Sequence, residues 1–299
     1  MTTATVQAST VRPVVDIVTG ENTLEGGGFP VRRPFPTARL LQVDPFLLLD
    51  HLGPVKWGPG QGIGAPDHPH RGFETVTYLL SGEMQHKDSA GHSGRLGSGD
   101  VQWMTAGAGV VHSELPSDAF MQNGGTMHGF QVWVNLPARD KMVRPRYQDI
   151  PAARIPETVS VDGKVKVRVI AGEALGQSAV IDTHTPIMYL HFTLQPGGEI
   201  VQPVPDNHNA LAYVIHGDLR AGAESRRVRE GQMARFGAGH SVRLAVDNGA
   251  AESADLLLLA GVPLNEPVER YGPFVMNTRT QIIQAIRDYQ EGRMGKIDF

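Results

Sequence analysis

Two runs decide how this chain is read: Asp67-His68-Pro69-His70-Arg71-Gly72-Phe73-Glu74 and Gly107-Ala108-Gly109-Val110-Val111-His112-Ser113-Glu114. Each offers a pair of metal-binding side chains with one residue between them, and in an extended strand residues i and i+2 point to the same face. Each pair therefore aims at one point. Between the runs lie an alternating stretch, Thr75-Val76-Thr77-Tyr78-Leu79-Leu80, a turn at Gly82, a glycine-rich segment from Gly94 to Asp100, and a further strand, Val101-Gln102-Trp103-Met104. If these strands are neighbours in a closed antiparallel barrel, His68, His70, His112 and Glu114 converge inside it. That makes a set of three imidazoles and one carboxylate.

The rest of the chain reads the same way. With 35 glycines and 21 prolines spread among short alternating runs in 299 residues, the pattern is all-β. Further strands are expected at Arg12 to Val18, Arg39 to Val43, Phe46 to Asp50, Met84 to Lys87, Met127 to Val134 and Val165 to Ile170. Others follow at Met188 to Leu194, Ala210 to Ile215, Gln232 to Phe236, Ser241 to Leu244 and Ala254 to Ala260. Helical spacing is clear only from Thr280 to Tyr289, where Ile282, Ile283, Ala285, Ile286 and Tyr289 share a stripe.

An internal repeat organises these strands. Leu79-Leu80-Ser81-Gly82 matches Val214-Ile215-His216-Gly217, Gly99-Asp100-Val101-Gln102 matches Gly231-Gln232-Met233-Ala234, and Gly107-Ala108-Gly109 matches Gly237-Ala238-Gly239. The economical reading is two tandem copies of one barrel, residues 1–138 and 139–299, with the helix at the end of the second. In the second copy His208-Asn209 and Gly239-His240-Ser241 stand in place of the ligand runs, and neither keeps a pair at i and i+2. The first barrel is therefore the one expected to hold metal.

Composition excludes several classes. A formal net charge of −4 with 19% charged residues argues against a nucleic-acid binder, and the densest basic spot, Arg226-Arg227-Val228-Arg229, reads as a solvated turn. The absence of cysteine removes disulfides, thiolate metal sites and cysteine nucleophiles. Met1 to Thr10 lacks a basic, apolar leader, and no run approaches the ~18 apolar residues of a membrane span. A cytoplasmic protein is expected. The loop Gly58-Pro59-Gly60-Gln61-Gly62-Ile63-Gly64 contains glycines at loose nucleotide-loop spacing, but its proline and those at 66 and 69 forbid the helix that would hold a pyrophosphate.

The glycine-framed His-x-His and the later histidine resemble the cupin superfamily. More narrowly, the runs HPHRGFETVTYLLSGEMQHKDSAGHSG, GDVQWMTAGAGVVHSE and GPFVMNT, followed by a terminal helix, resemble the pirin family over nearly the whole chain. The resemblance implies two cupin barrels, each a double-stranded β-helix or jelly roll. It implies a mononuclear iron(II) bound by His68, His70, His112 and Glu114, and quercetin 2,3-dioxygenase activity on a flat aromatic flavonol with dioxygen. It equally implies, for other members, a redox-responsive regulator that binds a transcription factor or a metabolic enzyme.

Donor type alone leaves iron, copper, nickel, cobalt, manganese and zinc open. Three histidines and a glutamate leave two positions free on an octahedral ion, whereas a structural zinc would be expected to close its shell. Glu114 is read as a ligand, or as one that loosens to take a substrate proton. Glu74, four residues past His70, is read as a supporting or structural carboxylate, and Arg71 as half of an ion pair near the mouth. Phe73 and Trp103, with Met104 and Phe130, are candidates for an apolar pocket or for barrel filling, and His86 and His92 for turn or supporting hydrogen bonds.

Overall fold

Residues 10–299 are described by a computed structural model; the leader-free reading of the first residues falls largely outside them. Among the described residues, no helix is long and apolar enough to cross a membrane. The chain folds as two all-β units, each a cupin-type barrel, with a C-terminal helix.

The site-bearing unit holds residues 20–155, 181–185 and 264–299. Its seven-stranded sheet runs Arg146–Ile150, Val101–Thr105, Phe73–Ser81, Gly125–Asn135, Phe46–Trp57, Phe29–Phe35, Glu21–Glu25. Its four-stranded sheet runs Ala65–His70, Val110–Pro116, Met84–Asp88, Ser93–Leu96. The other unit repeats both. Its larger sheet is ordered Val14–Thr19, Gln232–Phe236, Asn209–His216, Ala254–Gly261, Ile187–Leu194, Val165–Ala171, Glu157–Val159, and its smaller one Glu199–Pro203, Ser241–Ala245, Asp218–Ala221, Arg226–Arg229. Even the turn bonds recur: Gly99 N–H donates to the Leu79 carbonyl at 2.7 Å, and Gly231 N–H to Val214 at 2.9 Å.

The units do not follow a single cut at residue 138. Residues 10–19 belong with the second repeat, where Val14–Thr19 pairs with Gln232–Phe236 in the place that Arg146–Ile150 takes beside Val101–Thr105. Conversely, the terminal helix belongs to the site-bearing unit. Arg279–Gln290 starts on a capping box made by Thr278 and Gln281. Its Ile282 and Ala285 pack with Val111, Phe274, Met276 and Met294, so it covers the outside of the strand that carries His112. The stretch Arg39 to Val43 is not a strand: it is irregular apart from one isolated bridge at Val43, and Leu41 lies open to solvent.

The two barrels fill their interiors differently. In the second, Val204, Ala212, Leu219, Val242, Leu244 and Leu256 belong to one continuous apolar core. Counting from the matched Gly-Ala-Gly turns, Val242 and Leu244 occupy the places of His112 and Glu114. Gln202 sits opposite Val242 as His68 sits opposite His112, and Val204 follows two residues on. The replacements are thus Gln202, Val204, Val242 and Leu244 rather than His208-Asn209 and His240. Packed aliphatic side chains there leave no imidazole pair to hold an ion.

A buried lysine secures the turn after the first ligand run. Gly72 has φ +88°, and a Cβ there would collide with the Val275 carbonyl. Lys141 Nζ donates to the carbonyls of Gly72 (2.7 Å) and Val275 (3.1 Å) and to Asn135 Oδ1 (2.6 Å). Burial pushes its pKa down to about 8 from the ordinary 10.5. Between those values the unfolded chain binds more protons than the folded one, so this group makes stability rise as pH rises from 8 toward 10.5. Lys141→Met should cost about 3 kcal/mol at neutral pH by orphaning these acceptors, and its deficit should widen by on the order of 2 kcal/mol at higher pH. Denaturation midpoints at pH 7.5 and 9.5 check this; equal deficits at both would refute it.

Candidate metal centre

The pairing of Ala65–His70 with Val110–Pro116 sets the geometry. His112 stands opposite His68, Val110 opposite His70, and a bulge falls between His112 and Glu114. Opposed residues share a face, so His68, His70 and His112 turn inward together. Their rings meet with centroids 4.4 Å apart for His68 and His112, 4.7 Å for His68 and His70, and 5.0 Å for His70 and His112. One nitrogen from each lies within 4.8 Å of the others.

The nitrogens turned away from this point are held by backbone. His68 Nδ1–H donates to the Pro66 carbonyl at 2.7 Å, and His70 Nδ1–H faces the Pro273 carbonyl at 3.4 Å. Each contact favours the tautomer whose Nε2 lone pair is free. Burial, together with the neighbouring imidazoles, holds His70 and His112 well below the ordinary histidine pKa. Both are therefore neutral at physiological pH, the form that binds a cation. His112 has no solvent exposure, and neither ring nitrogen has a hydrogen-bond partner among the described residues. An orphaned buried nitrogen costs about 1–3 kcal/mol. A metal shared with His68 and His70 removes that cost at the coordinating nitrogen, so the residues fit an ion with imidazole preference.

Glu114 lines the same cavity outside the histidine cluster. The bulge re-aims it, and its Oε1 lies 2.8 Å from Thr77 Oγ1, which is also 2.8 Å from Gln131 Oε1. A hydroxyl has one proton. The consistent network has Thr77 donating to the Glu114 carboxylate while the Gln131 amide, flipped, donates to Thr77.

The cavity measures about 560 Å³, within the range of small-molecule sites. Phe29, Leu48, Met127 and Trp133 supply apolar wall; Glu114, Thr77 and Gln131 supply the polar inner side, and Asp50 and Arg270 line it too. Trp133 meets His70 edge-on at 5.2 Å and Phe73 at 4.3 Å.

Several sequence candidates lie elsewhere. Phe73 packs against His70 at 5.1 Å, behind the ligand rather than in the cavity wall. Trp103 pairs in register with Val76, and Phe130 with Tyr78, whereas Thr77 pairs with Gln102 and Gln131. Trp103 and Phe130 therefore sit on the opposite face of the sheet from the pocket. Glu74 shares that opposite face, fully buried, and accepts from Thr105 Oγ1 at 2.7 Å. Arg71 is also outside the pocket. It donates to the Ala108 carbonyl and to Asp288 of the terminal helix, each at 2.6 Å. Against the burial that would raise it, hydrogen bonds from Arg71, Gln284 and Arg293 hold the Asp288 carboxyl down to about 2. His92 is half exposed and pairs with Asp88 at 3.0 Å, a turn contact. Thr77 and Gln131 were legible in principle, since strand alternation places them on the inward face. The same alternation puts Trp133 beside Gln131, whereas Arg270 and Pro273 carried no such signal.

A double cupin with three converging histidines in one barrel defines the class. The chain matches the pirin family model over residues 28–134 and the pirin C-terminal cupin domain over 189–295. It is 45% identical to a pirin-like protein of Solanum lycopersicum, covering 95% of this chain and 93% of that one. It is 44% identical to pirin of Homo sapiens, over 91% and 90%. Among solved structures, a quercetin 2,3-dioxygenase from Acinetobacter baumannii superposes with a TM-score of 0.89 at 39% identity, covering 96% of this chain and 99% of the other. The chain belongs to the pirin family.

Proposed function

We propose that this pirin is a metal-dependent dioxygenase acting on a flavonol such as quercetin, with His68, His70 and His112 as ligands and Glu114 as the adjoining carboxylate. The observation that carries the reading is the conjunction of three converging imidazoles with a largely apolar cavity large enough for a flat aromatic guest. The similarity to the Acinetobacter baumannii enzyme supports the same substrate class. A divalent transition metal, iron(II) on the pirin resemblance, would supply Lewis acidity toward a substrate hydroxyl and electron exchange with dioxygen.

The remaining work falls to the chain. Trp133, Leu48, Met127 and Phe29 exclude water and favour a planar ring system. Glu114, oriented by Thr77, accepts the proton of the substrate hydroxyl, so the ring reacts as the electron-rich anion. Overall, flavonol and one dioxygen become a depside and carbon monoxide. The test is oxygen uptake by anaerobically iron-loaded protein on addition of quercetin, with carbon monoxide measured in parallel. Uptake matched to quercetin loss is expected; iron-loaded protein no faster than the metal-free form would overturn the proposal.

A further inference from the structure

Arg270 is the cavity cation that the reaction above leaves unused. It arrives on the hairpin of Glu269–Tyr271 and Phe274–Met276, far in sequence from the ligands, and lines the cavity with His70 and Trp133. Its guanidinium carbon lies 4.8 Å from the centroid of the Trp133 ring, a cation–π contact that uses none of its N–H donors. Among the described residues its one hydrogen bond is a long contact to the Leu47 carbonyl at 3.5 Å. The nearby acids are already engaged: Asp50 accepts both bonds of Arg33, at 2.7 and 2.5 Å, and Glu25 meets the same guanidinium at 2.6 Å. No carboxylate among the described residues forms an ion pair with Arg270. A planar, always-charged donor fork in a cavity, stacked but unmatched, is suited to an anionic oxygen brought by a ligand.

We infer that Arg270 is a specificity-determining residue which receives an anionic substituent of the substrate, so that the site prefers planar aromatics carrying a negative group over their neutral counterparts. Trp133 links the two ends of the cavity: its ring lies 5.2 Å from the His70 ring and carries Arg270 over its face. A planar ligand in this cavity with a hydroxyl toward the histidines therefore has the guanidinium within the same lining to receive a peripheral anion. The inference rests on the substrate reading above but concerns binding, so the two can fail separately.

The test uses full-length, metal-loaded protein under anaerobic conditions. Quercetin and quercetin sulfonated on its catechol ring are titrated by quenching of tryptophan fluorescence, and oxygen uptake is measured separately. Wild type should bind the sulfonate about tenfold more tightly than quercetin, Arg270→Gln should bind the two alike, and Arg270→Lys should keep part of the preference. Equal affinities in wild type, no binding of the sulfonate, or an equal loss of both ligands in Arg270→Gln would overturn the inference. A charge preference without oxygen uptake would sustain it while removing the dioxygenase reading.

Discussion

Replacing His112 with alanine is expected to strip the protein of its metal and to lower quercetin turnover by at least about a hundredfold. The reason lies in where this ring sits. It is the most enclosed of the three, its lone pair is available because burial keeps it neutral, and no group among the described residues bonds either nitrogen. His68 and His70 alone leave a two-point site whose remaining positions water must fill. His70→Ala should behave alike, since its ring lies 5.0 Å from His112 and is braced by Phe73 and Trp133. Metal content of the purified variants, with circular dichroism to show that the barrel has formed, checks the expectation. A folded His112→Ala protein with stoichiometric metal and full turnover would sink the assignment of this cluster.

Glu114→Gln separates two roles that the sequence leaves joined. The carboxylate lines the cavity outside the histidine cluster and accepts from Thr77. An amide oxygen can accept the same bond, so the variant keeps the local geometry while losing the proton acceptor. Metal content should be retained on the three histidines, and kcat should fall by about 10² to 10⁴, the usual contribution of a positioned general base. KM should change far less, because the apolar wall is untouched. Loss of metal together with activity would show instead that Glu114 is an indispensable ligand.

The histidine runs were readable because strand geometry is local: two side chains at i and i+2 must share a face whatever the strand pairs with. The repeat was readable because glycines at turns such as Gly82 and Gly217 adopt positive φ, which few other residues tolerate. The terminal helix was readable from its apolar stripe, while its capping box at Thr278 and Gln281 emerged only in the structure. Trp103 and Phe130 were harder. Both lie in strands buried on two faces, where apolar residues occupy either side and composition no longer tells inside from outside. Register separates them: Thr77 pairs with Gln102 and Gln131, and the aromatics pair with the alternate positions.

Sequence by itself determined the all-β character, the duplication, and the three histidines of one barrel, since each follows from short-range spacing and the stereochemistry of extended chain. Tertiary structure alone decided the rest. It placed the N-terminal strand with the second repeat and the helix over the His112 strand, re-aimed Glu114 through a bulge, and brought Arg270 and Pro273 into the lining of the site. These contacts join segments up to about two hundred residues apart, as between His70 and Pro273. They arise from which apolar faces bury one another and from barrel register, which are collective properties of the folded chain rather than of any one stretch.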